Sequence, residues 1–186
     1  MRRLEGAVLT VEADVVSVER RLAAGGLACP GCGGVLAPWG RSTSRPLRDL
    51  DWAVLWLRPR RARCSGCGHT HVLLPVVALL RRADLAVVVW AGLLAAAAGK
   101  GARRVAALLG RPRSTVRGWL RRFAGRSEAV RRVFTGLLVA VGVDAVVPAP
   151  AGSPVADAVA AVAGAAVVAG ARWALLGVVA PWAGVS

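Results

Sequence analysis

The sequence predicts an α+β chain, mainly α, in which a small cysteine-bearing sheet precedes a helical bundle. Three observations carry this expectation. Two Cys-x-x-Cys-Gly runs, at 29–33 and 64–68, bracket the β-prone stretches. The large apolar residues change from short alternating runs before Asp84 to helical spacing after it. Gly110 lies between two short segments whose apolar residues recur at steps of three and four, as in helices joined by a tight turn.

The elements follow in order. Val11, Val15, Val18 and Leu22 recur at helical steps with Glu12, Glu19 and Arg20 between them, so residues 1–28 read as an N-terminal amphipathic helix stopped at Gly25-Gly26. Residues 29–80 read as a small sheet with strands near 35–39, 52–57 and 71–74, the second alternating Trp52, Val54 and Trp56 with Ala53, Leu55 and Leu57. Residues 81–143 read as a helical domain. Asp84 caps its first helix, which Gly99 closes; its second runs from Ala102 to Leu109, its third follows Ser114 as cap, and its fourth opens at Ser127. In that fourth helix Val130, Val133, Phe134, Leu137, Leu138 and Val141 form an apolar stripe. Residues 144–186 read as a turn-rich linker, VPAPAGSP, and an Ala-rich helix that Ser153 caps and Pro154 opens. Packing on the helical core or self-association as a homo-oligomer is the expected role of that tail.

At 186 residues and 56% hydrophobic, the chain can bury a core, which excludes wholesale disorder. Its net charge of +15 is unevenly spread. Residues 1–28 are neutral, 29–84 hold nine Arg against three acids, and 85–136 hold ten Arg and Lys100 against Glu128 alone. The last fifty residues sum to −1. A polyanion therefore docks on the middle of the chain. Arg2 and Arg3 are followed by Glu5 and a charged stretch rather than an apolar run, so a cytoplasmic, nucleoid-associated protein is expected. No membrane partner is expected either: residues 85–99 fall short of the roughly 20 needed to span, and 155–171 contain Asp157 and end at Arg172.

The cysteines give the sharpest chemistry. Cys29 and Cys32 form one pair, Cys64 and Cys67 the other, with 31 residues between the pairs. Zinc takes four thiolates in a tetrahedron, and a two-residue spacer lets one tight turn aim two sulfurs at one ion. The alternative is a redox pair, but paired knuckles in a reducing compartment favour a structural Zn2+. Four sulfurs leave no open position for catalysis. His69 and His71 flank the second knuckle and could substitute for a thiolate, though the four cysteines already suffice.

In the helical part, Val105, Ala106 and Leu109 before Gly110, and Val116, Trp119, Leu120 and Phe123 after it, occupy the positions that a helix-turn-helix buries. Its second helix then exposes Thr115, Arg117, Gly118, Arg121 and Arg122, with Arg111 and Arg113 in the turn and Ser114 as cap. Double-stranded DNA is the expected partner. Thr115 and Arg117 would face base edges in the major groove, and Arg111, Arg113, Arg121 and Arg122 the phosphates. A solvated basic face on an ordinary helical hairpin is the competing account.

The segments CPGCGGVLAPWG, RPRRARCSGCGHTHVLLP and RRVAALLGRPRSTVRGWLRRF together resemble a group of actinobacterial zinc-ribbon and helix-turn-helix proteins of unknown function, similar to the N-terminal part of insertion-sequence transposases. The resemblance covers about residues 25–140. It implies zinc on the four cysteines and a DNA-reading helix over 115–123. Such transposases cut DNA with three carboxylates on an RNase H-like fold. Beyond Phe123 this sequence has only Glu128, Asp144 and Asp157 as acids, so the expected protein binds DNA without being an enzyme, as a transposase-derived remnant or a regulator. An active transposase, or a zinc-ribbon module that binds protein or RNA, are the alternatives.

Overall fold

The computed structural model describes residues 7–142 and 144–175, with side chains to Arg172. The ends of the predicted first and last segments, residues 1–6 and 176–186, lie outside the described residues. Two compact units divide between Ala86 and Val87.

The first unit is built on a four-stranded sheet. Its strands are β1 (Ala7–Val11), β2 (Leu36–Arg41), β5 (Arg60–Cys64) and β6 (Thr70–Pro75), in the order β1-β6-β5-β2. β1 runs parallel to β6, and the other pairs are antiparallel. The predicted N-terminal helix is thus shorter than expected. Residues 7–11 are a strand, and α1 (Val15–Ala23) begins only after Asp14, whose carboxylate accepts from the Val16 and Ser17 amides. The β-branched run AVLTV has a parallel partner at hand, so strand pairing overrides the helical spacing that began at Val11. α1 sets Val18 and Leu22 into a core shared with Val11, Leu27, Leu36, Ala62 and Leu73. Residues 7–28 and the cysteine region therefore form one hydrophobic unit.

The loop between the knuckles is folded too. β3 (Arg45–Arg48) pairs with β4 (Val54–Leu57) as a separate hairpin, with Leu47 fully buried and Trp52 at φ +68 in the turn. Arg48 and Asp84 are ion-paired at 3.3 Å, and the Arg48 carbonyl accepts from the Leu85 amide. Asp84, expected as a helix cap, is instead a buried partner of Arg48. Burial of its carboxylate demands a cation, and the hairpin supplies one.

The second unit is helical: α2 (Ala86–Ala97), α3 (Ala102–Leu109), α4 (Arg113–Ala124), α5 (Ser127–Val141) and α6 (Pro154–Leu175). Val88, Leu93, Val105, Ala106, Leu109, Val116 and Trp119 form its buried centre. Gly92 lets α2 approach closely, because a Cβ there would stand 3.2 Å from Leu109 Cδ1 and 3.5 Å from Val105 Cγ1. α6 runs in the same direction as α5: Asp157 lies near Glu128 and Arg131, Gly164 near Leu138, and Val168 near Gly142. The linker carries the chain back to make that possible. Ser153 Oγ accepts from the Ala156 amide, and Asp157 accepts from the Ala151 amide. The predicted α5 stripe divides. Leu138 is buried, Val130, Phe134 and Val141 are half-buried, and Val133 and Leu137 face water. α6, lined with Ala158, Ala161 and Ala165, covers only the Leu138 side. By length and composition Pro154–Arg172 could cross a membrane, yet its alanine face is buried in this unit.

Candidate metal centre and nucleic-acid interface

The two knuckles bring all four cysteines together. Their Sγ atoms lie within 4.8 Å of one another, with Cys29 to Cys67 at 3.8 Å and Cys32 to Cys64 at 3.4 Å. A tetrahedral zinc with Zn–S of about 2.3 Å has sulfur–sulfur edges of about 3.8 Å, so the donor set fits such an ion. Cys29 and Cys64 are buried, while Cys32 and Cys67 face outward. Each knuckle is a tight turn. The Gly33 amide donates to the Cys29 carbonyl, the Gly68 amide to the Cys64 carbonyl, and both glycines are left-handed, at φ +74 and +71. The Cys67 amide also donates to Cys64 Sγ at 3.5 Å. That amide first, then the Cys32 thiol and the Gly66 amide, hold the Cys64 thiol down to about 6.

Around the cluster, Gly34 escaped the sequence reading, and His71, read there as a possible substitute ligand, lies beside one of the four sulfurs. Gly34 is pressed against the cluster: a Cβ would stand 3.0 Å from Cys64 Sγ and 3.4 Å from Cys32 Sγ. His71, 2% exposed, places Nε2 3.4 Å from Cys29 Sγ. With its proton on Nε2 the ring would donate to the thiolate and orient it. The His69 side chain is exposed, and its backbone joins the knuckle: the carbonyl accepts from the Cys64 amide, and the amide donates to the Cys67 sulfur.

The second site is the α3–α4 pair. Gly110, at φ +60, ends α3 and lets the Arg111 amide return to the Ala106 carbonyl. α4 begins at Arg113, with Pro112 in the cap position, where it offers no side-chain cap bond. Ser114, expected as the cap, lies one residue inside the helix, because the fixed φ of Pro112 already sets the entry. Val116 and Trp119 point into the core as expected, with Leu120 and Phe123 half-buried. Arg113, Ser114, Arg117, Arg121 and Arg122 are exposed, and Thr115 and Gly118 are half-exposed. Arg111 differs from expectation. It is 4% exposed, and its Nη1 donates to the Leu109 carbonyl. The end of α3 leaves that carbonyl without a helical partner, and the inward turn satisfies it. Arg103 and Arg104, not singled out from the sequence, are exposed on α3 and share a shallow concavity with Gly101 and Arg113.

Residues 87–131 match the family model of a homeodomain-like domain, a stretch that spans α2, α3, α4 and the start of α5. No curated protein and no solved structure matches the chain. The protein thus carries a homeodomain-like helix-turn-helix segment, which points to DNA binding, and a four-cysteine cluster with the geometry of a metal site.

Proposed function

We propose that this is a zinc-containing protein that reads double-stranded DNA with α4 and does not cut it. The observation that carries the reading is the division of α4 into two faces. Val116 and Trp119 are buried, while Arg113, Arg117, Arg121 and Arg122 project to solvent within the homeodomain-like stretch. Such a helix enters the major groove, with Arg117 and Thr115 near base edges and the other arginines at phosphates. Arg111 serves the turn rather than the DNA. The zinc is structural, because four thiolates leave no site for substrate. Residues 25–140 resemble the DNA-binding part of insertion-sequence transposases, which supports the reading of a regulator or transposon remnant acting in the cytoplasm. The absence of cutting is supported by the acids that follow α4. They are Glu128, Asp144 and Asp157; of these, Glu128 is bound bidentately by Arg131, and Asp157 accepts from the Ala151 amide.

Selection of duplexes from a random pool, then titration of the selected and a scrambled site, tests the reading. Arg117→Ala should narrow the gap between the two sites by about 1–3 kcal/mol, the worth of one bidentate base contact, while Arg122→Ala weakens both sites alike. Equal losses on both duplexes in the two variants would refute the assignment of Arg117. Incubation of duplex with the protein and Mg2+ or Mn2+ should leave it intact; strand scission would overturn the non-enzymatic reading.

A further inference from the structure

The four-stranded sheet has one face covered and the other open except at Leu74, near the end of β6, which is buried. Leu36, Ala62 and Leu73 point into the core that α1 closes. The opposite face follows from the strand register. Ala37, Arg63 and Thr70 stand in one cross-strand row, and Arg61, Val72 and Val8 in another. These residues are exposed or half-exposed. At the β2 edge the Arg63 guanidinium lies 4.8 Å from the centroid of the Trp39 ring, and Arg63 Nε donates to the Gly68 carbonyl. Trp39 remains 50% exposed and borders a shallow concavity with Pro38, Ser65 and Gly66.

From this arrangement we propose that the open sheet face binds single-stranded nucleic acid, with Trp39 as a stacking platform for an unpaired base and Arg61 and Arg63 at the adjoining phosphates. Charge selects the class of partner. None of the four strands carries an acidic residue, and Glu12 and Glu19 of this unit are engaged by Arg21, Arg41 and Arg60. The face is therefore cationic, and a polyanion is its complement. The indole selects unpaired nucleotides over duplex, because a duplex hides the faces of its bases, whereas a single strand offers them to any exposed aromatic ring. Arg63, held by Gly68 over the ring, is preorganised for this work and loses little freedom on binding. This site is separate from α4 and does not depend on the duplex reading.

The test uses the full zinc-loaded chain with a fluorescent oligothymidylate and a duplex of equal length. Trp39→Ala should lower single-strand affinity about tenfold or more, the effect of losing one stacked base, and leave duplex affinity within about twofold. Trp39→Phe should keep most of the binding, and Arg63→Ala should both weaken it and flatten its salt dependence. Zinc content equal to wild type certifies each fold. The proposal is overturned if the wild type does not bind the oligonucleotide, if Trp39→Ala binds it as wild type does, or if that variant loses single strand and duplex equally. Failure of the α4 reading would show instead as unchanged duplex binding in Arg117→Ala and Arg122→Ala, with the Trp39 effect intact.

Discussion

Gly34 shows how one missing methyl group sets the metal site. Its backbone fills the space beside Cys64 and Cys32, and a Cβ would stand 3.0 Å from the first sulfur. Gly34→Ala should therefore weaken zinc retention against a competing chelator by about 10-fold or more, the scale on which groups just outside a metal's ligands act. Zinc retained as in wild type would show that the knuckles yield at no cost. Asp14 gives a pH test. The Ser17 hydroxyl and amide, then the Val16 amide, hold its carboxyl below the usual range. A carboxylate lowered on folding adds stability above its unfolded pKa and loses it as pH falls through the folded value. The stability difference between wild type and Asp14→Ala should accordingly be full near neutral pH and vanish in acid; a pH-independent difference would contradict the cap. The cysteines, Val116 and Trp119 were legible in the sequence because ligand spacing and helical period fix them locally. Arg111 and Gly34 were not: whether an arginine turns inward, or a sulfur lies against a glycine, depends on groups distant in the chain.

Elements follow the same rule. α3 ends at Leu109 and α6 opens at Pro154 as the sequence indicates, since Gly110 and Ser153-Pro154 are local signals. β5 reads as a charged run, RRARC, and becomes a central strand only because β2 and β6 pair with it and Ala62 fills the core. β1 is concealed by a helical spacing that spans two elements, and the Asp14 cap was the signal that could have divided it. On the helix-turn-helix, the consequence of packing is measurable at Trp119 and Gly92. Trp119 is buried where α4 meets the core, and its ring lies 3.7 Å from the Cβ position of Gly92. Trp119→Ala should cost about 3–5 kcal/mol in denaturant unfolding of the helical unit, and Gly92→Leu about 1–3 kcal/mol by overpacking. A stable, DNA-binding Trp119→Ala protein would mean that α4 is not positioned by its apolar face.

For the whole molecule, the division into two units separates the four-cysteine cluster from α4, the helix proposed to read DNA. All four cysteines lie in the sheet unit, whose core includes Cys29 and Cys64. The helical unit buries Val88, Val105, Val116 and Trp119 with no cysteine among them. Because structural zinc contributes directly to the folding of its domain, chelation should unfold the sheet unit, while most of the helical circular dichroism persists. Duplex affinity measured across salt then apportions the binding. If Arg113, Arg121 and Arg122 displace counterions from about three phosphates, log K should fall against log salt with a slope of about −2.7. That slope should survive chelation if α4 carries the duplex contacts, and be steeper in the zinc-loaded protein if the sheet unit adds phosphates of its own. A slope near zero with zinc present would remove the electrostatic basis for DNA recognition, and loss of all helical signal on chelation would show that the two units do not fold independently.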